Sequence, residues 1–148
     1  MPIVLLRMSK ICIVVFKRNI SYIPSQLKHW GIYVEYEEKI NTEYLYHADK
    51  VSILNIQTEY EGKHWSPSNN KKVDKVITIG YASKLTHTQM IEYCDEITRN
   101  RIFNTIGNNC QRWVISLLIK LIEKDHLYCK CYDILKQDNE ITPLLGWF

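Results

Sequence analysis

No stretch of this sequence is apolar for long enough to cross a bilayer: the longest candidate, residues 113–122, is too short and carries Lys120. Nor is a secretory leader expected, because the apolar run Ile3, Val4, Leu5, Leu6 meets Arg7 at once. The expectation is a soluble, cytoplasmic protein, with delivery into a host cell and peripheral membrane contact left open. Blocks of like charge are also missing. Nineteen Lys and Arg stand against 16 Asp and Glu, for a formal charge of +3, and the two signs are mixed along the chain, which argues against a nucleic-acid-binding stripe. The cysteines, at 12, 94, 110, 129 and 131, are odd in number and accompany no visible export signal, so reduced thiols are expected in place of a disulfide framework. His126 with Cys129 and Cys131 falls short of the four ligands of a structural zinc site, and packing is the simpler reading. No metal or cofactor is implied. Repeats, low-complexity segments and a linker are absent, so the 148 residues are expected to form one domain with a full core.

What is present divides into two periods. "ICIVVF" (11–16) is a continuous β-branched run, as in a buried strand. "WGIYVEY" (30–36) alternates, with Trp30, Ile32, Val34 and Tyr36 on one face and His29, Gly31, Tyr33 and Glu35 on the other. "EEKIN" (37–41) is a polar turn. "TEYLYHA" (42–48), "VSILNIQ" (51–57) and "KVITIGYA" (75–82) complete the strands, and a β-meander is the simplest arrangement. Residues 58–72 are polar with Gly62 and Pro67 and read as a long loop. Thr86 and Gln89 form a T-x-x-Q capping box, after which Met90, Ile91, Cys94, Ile97 and Ile102 keep helical spacing to about residue 102. A second helix is expected from about Cys110 to Lys124, with Trp113, Val114, Leu117, Leu118, Leu121 and Ile122 as its apolar face. Residues 123–148 read as a tail capping the core. The fold class expected is α+β: an antiparallel sheet against a central helix.

Three residues suggest chemistry. Cys110 follows Asn108 and Asn109, natural N-caps, and so stands in the first turn of the second helix, where N–H groups and the macrodipole favour a thiolate. A thiol nucleophile also needs a base. His29 and His47 flank the polar turn symmetrically about Glu38; in a regular hairpin centred there they are cross-strand neighbours on one face, and one imidazole can orient the other. Gly31, on the same face, would let a helix terminus come close. This is the layout of a cysteine–histidine–histidine triad. Trp113 reads as packing, and His64, His87, Lys63, Lys71 and Lys72 as surface residues, although the 58–72 loop could serve as a substrate lid.

"HWGIYV", "YLYHADK" and "FNTIGNNCQRWV" resemble, in that order, the two histidine boxes and the Asn-Cys box of the lecithin:retinol acyltransferase-like proteins, which are circularly permuted papain-like thiol enzymes. The resemblance spans roughly residues 11–122. It implies a permuted papain-like architecture, Cys110 as nucleophile, His29 as general base and His47 as the orienting histidine. The reaction implied is attack on an ester, thioester or amide carbonyl, an acyl-enzyme on Cys110, and then hydrolysis or transfer. The substrate would be an acyl-bearing small molecule, a lipid or a peptide. No counterpart is expected for the hydrophobic anchor that lipid-active animal members carry after the catalytic helix, and Glu37-Glu38-Lys39 replaces their glycine-rich turn. Two other classes stay open: a non-catalytic interaction or effector protein that keeps the fold and binds through the 58–72 loop, and a peptidase or amidase with the same triad.

Overall fold

The apolar alternation in the first half of the chain builds a sheet, and the 3.6-residue period in the second half builds two helices that cover one side of it. The computed structural model describes residues 8–17, 28–37, 42–50, 55–68, 70–103 and 110–127. Within them the elements are β1 (Ser9–Phe16), β2 (Trp30–Glu35), β3 (Glu43–Lys50), β4 (Thr58–His64), β5 (Val73–Ala82), α1 (His87–Thr98) and α2 (Cys110–Glu123). The five strands are antiparallel in the order β4-β3-β2-β1-β5. The first four form a meander, but its fourth strand is Thr58–His64 where the sequence pointed to residues 51–57. β5 instead returns to the far side of β1, which makes β1 an interior strand and explains its unbroken apolar run: Ile11 to Val15 are all buried.

Ile11, Ile13, Val15, Trp30, Ile32, Val34, Tyr46 and Ala48 point to the helices and join Met90, Cys94, Trp113, Val114, Leu117, Leu118 and Leu121 in one core. The opposite face is covered more thinly, by Cys12, Val14 and Tyr33 packed with Phe16, Trp65 and Val73. Trp113 is fully buried, donates from Nε1 to Thr98 Oγ1 at 2.9 Å and stacks on Tyr60, so it is a packing residue as its place on the apolar stripe suggests. Cys12, Cys94 and Cys110 are free thiols. Among the described residues no helix is long and apolar enough to cross a membrane.

Three expectations need correction. Residues 58–72 do not form one loop: Thr58–His64 is edge strand β4, paired with β3 along its length, and the connection to β5 begins at Trp65. An edge strand draws its stability from backbone pairing on one side, so "TEYEGKH" can be polar, with only Thr58 buried. A lid made of the whole 58–72 segment is thereby excluded. The first helix ends at Thr98, short of residue 102. Arg99 turns extended, Asn100 takes φ 58°, and Ile102, 57% exposed, bridges to Gln57; Asn tolerates the left-handed region that stops a helix. Of the strand expected at 51–57, the described residues 55–57 carry only the Gln57 bridge; residues 51–54 lie outside the described set, along with Asn108, Asn109, Cys129, Cys131 and the tail from 128 onward.

Candidate functional site

The β2–β3 register pairs Ile32 with Tyr46, Tyr33 with Leu45, Val34 with Tyr44 and Glu35 with Glu43. Continued outward, it sets His47 opposite Gly31 and not opposite His29. The hairpin is therefore displaced by two residues from the arrangement centred on Glu38. Side chains alternate with period two, so a two-residue displacement keeps both histidines on one face and makes them diagonal neighbours. Their rings bridge the diagonal: His29 Nε2 lies 2.9 Å from His47 Nδ1, with the ring planes at 85°. Gly31 has a different role from the one expected. A Cβ there would meet Leu45 Cδ1 at 2.7 Å, the Tyr46 carbonyl oxygen at 3.2 Å and His47 Cβ at 3.4 Å, so the glycine makes room for β3 and not for a helix.

The pair is held in its neutral form. Burial, and then the neighbouring His47, press the His29 imidazole down to about 4. Burial and Lys63 also lower His47, against an opposing pull from Glu61. His29 packs against the Phe16 ring at 5.4 Å, on the face away from the helices.

Cys110 opens α2, as its polar lead-in suggests, and is 9% exposed. Its sulfur reaches the backbone that leads into β2: Sγ donates to the Lys28 carbonyl at 3.9 Å, and the Trp30 N–H is directed at it. The next residue reinforces this junction, Gln111 Nε2 donating to the same carbonyl at 2.9 Å. The nucleophile candidate thus touches the residues on either side of His29 in the chain. No hydrogen bond joins it to either imidazole among the described residues. Burial pushes the thiol up to about 11, more than the Trp30, Gln111 and Cys110 N–H groups can offset.

The Asp49 carboxylate acts electrostatically on His29, His47 and Cys110 alike. Beside it a cleft of about 260 Å³ is lined by His47, Asp49, Glu59, Tyr60 and Glu61. Glu61 stands opposite His47 in the β3–β4 register and approaches its Nε2 at 3.2 Å. Reading 58–72 as a loop hid this residue; the alternation of Thr58, Tyr60 and Gly62 with Glu59, Glu61 and Lys63 was the available signal. His87 is also less peripheral than expected, being bonded through Nδ1 to the Tyr46 hydroxyl at 2.6 Å and stacked on Tyr44. His64 is exposed and pairs with the Tyr44 hydroxyl. His126 Nε2 meets the Tyr93 hydroxyl at 2.9 Å. No group of three or more metal-ligating side chains occurs among the described residues. No protein-family model, curated protein or solved structure matches this chain.

Proposed function

We propose that the chain is a cysteine-dependent hydrolase or acyltransferase of permuted papain-like architecture, with Cys110 as nucleophile, His29 as base and His47 as its orienting partner. The observation that carries this reading is the junction at Lys28–Trp30. There the sulfur at the start of α2 packs on the backbone flanking His29, while the His29 ring is bonded to His47. Three residues far apart in sequence, and prominent in three ordered motifs resembling the lecithin:retinol acyltransferase-like proteins, share one neighbourhood. In the reaction the sulfur leaves the Lys28 carbonyl and gives its proton to His29, and the thiolate adds to the carbonyl carbon of an ester, thioester or amide. The leaving group departs with the proton from His29, and water or a second nucleophile then cleaves the acyl–sulfur bond. N–H groups at the start of α2, beginning with that of Cys110, supply the oxyanion donors.

A second reading has its own support. The sulfur is bonded to a carbonyl and its thiol is raised to about 11, which suits a structural cysteine in an interaction protein that keeps the fold. Incubation with activated acyl esters, thioesters and peptide amides at pH 7, followed by mass spectrometry, separates the two. The enzyme reading expects an acyl adduct on Cys110, absent in Cys110→Ala and formed roughly 10²-fold or more slowly in His29→Ala. Which substrate class acylates fastest divides lipase or transferase from peptidase. Cys110 alkylated only as the pH approaches about 11, with no adduct at neutral pH, overturns the enzyme reading and leaves the interaction protein.

A further inference from the structure

Three residues on three adjacent segments form one line of hydrogen bonds: His29 Nε2 to His47 Nδ1 at 2.9 Å, and His47 Nε2 to Glu61 Oε2 at 3.2 Å. The chain's last member comes from the edge strand, where the register sets Glu61 directly across from His47. We propose that Glu61 is a positioning residue for the histidine pair: by accepting the Nε2 proton of His47 it commits both imidazoles to one tautomer and leaves Nδ1 of His29 as the basic nitrogen.

The assignment follows from donor counting. A carboxylate only accepts, so His47 Nε2 must carry the proton that meets Glu61. A neutral imidazole has one N–H, so His47 Nδ1 is bare and must accept. The partner at 2.9 Å, His29 Nε2, then has to donate, and the remaining lone pair of neutral His29 sits on Nδ1. Both rings are held neutral by burial, so the counting applies at pH 7. Reversing the order would place a bare Nε2 of His47 against a carboxylate oxygen, lone pair to lone pair. Glu61 is 57% exposed, and such a pair adds little to stability. Tautomer choice demands little: a tenfold preference is about 1.4 kcal/mol. The other charges facing His47 are Asp49 on its own strand and Lys63 on β4, which also lies 3.8 Å from the Glu61 carboxylate.

The consequence for catalysis rests on the reading of Cys110 and His29 as a nucleophile–base pair, but the tautomer itself does not. Long-range ¹H–¹⁵N spectra of the full chain labelled at histidine, assigned with His29→Gln and His47→Gln, read it directly at pH 7.5. The expected result is the Nε2–H form for both rings in the wild type. Glu61→Leu should bring the His47 nitrogens to the intermediate shifts of mixed tautomers, and Glu61→Gln, whose amide oxygen can still accept, should fall between. A predominant Nδ1–H form of His47, or spectra unmoved in Glu61→Leu, overturns the proposal whatever Cys110 does. In parallel, acylation of Cys110 at pH 7 is expected to slow several-fold in Glu61→Leu and partly recover in Glu61→Gln, with unfolding midpoints unchanged. A wild type that never acylates ends the enzyme reading, and the spectra still decide the tautomer.

Discussion

Gly31 is the residue on which the histidine geometry depends most directly. The close approach of β3 at this point lets imidazoles two residues out of register meet, and it exists because position 31 has no side chain. Gly31→Ala would put a Cβ 2.7 Å from Leu45 Cδ1 and 3.2 Å from a backbone oxygen that cannot rotate away. The expected cost is about 1–3 kcal/mol in urea denaturation, the range typical of overpacking. Because the tightest of these contacts is with Leu45, the double variant Gly31→Ala/Leu45→Ala should be less destabilised than the sum of the two single changes; strict additivity would mean that the contact is absent. A related contact lies at Gly62, where a Cβ would meet the Tyr46 ring and Ile91 Cδ1 at 3.0–3.1 Å. There the close approach brings edge strand and helix α1 together.

At the level of elements, legibility tracked where the stabilising interaction is encoded. The α1 start was readable because its capping box is local: Thr86 accepts from Gln89 N–H at 3.2 Å, and the Gln89 side chain accepts from Thr86 N–H at 3.0 Å. Thr86→Ala is therefore expected to lower stability by about 1 kcal/mol in thermal or urea unfolding, with Thr86→Asn near neutral. β4 was not readable, because backbone pairing with β3 supplies what its polar sequence does not. The histidine face was legible from period two alone, but the register was not. Alignment is set where Ile32 meets Tyr46 and both are buried against α2, and that long-range packing leaves no mark on residues 29 and 47. The side from which α2 arrives escaped for the same reason. Trp30, Ile32 and Val34 take the helices, so Cys110 meets the strand at its entry and does not lie over the histidine face.

For the whole molecule the histidines dictate an acid response. Burial is the leading cause that lowers His29, His47, His87 and His126, at three places in the fold, the first two histidines sharing one. A histidine whose folded value is depressed binds its proton more readily in the unfolded chain, so its stabilising effect is present above the unfolded value of 6.5 and fades as pH falls. For His29 the window runs from 6.5 down to about 4, and the full displacement corresponds to about 3 kcal/mol. Asp74, held below the usual carboxylate range by Lys28 at 2.8 Å, acts with the same sign at lower pH. Urea midpoints should thus fall steadily between pH 7 and pH 4.5, while a neutral replacement, His29→Gln, should show a shallower dependence and a lower midpoint at pH 7 because the bond to His47 is weakened. Crossing of the two curves near the acid end is the expected signature. A wild-type midpoint that is flat or rises on acidification would mean that the His29–His47 pair accepts a proton in the folded state, and the neutral relay on which the site is built would have to be abandoned.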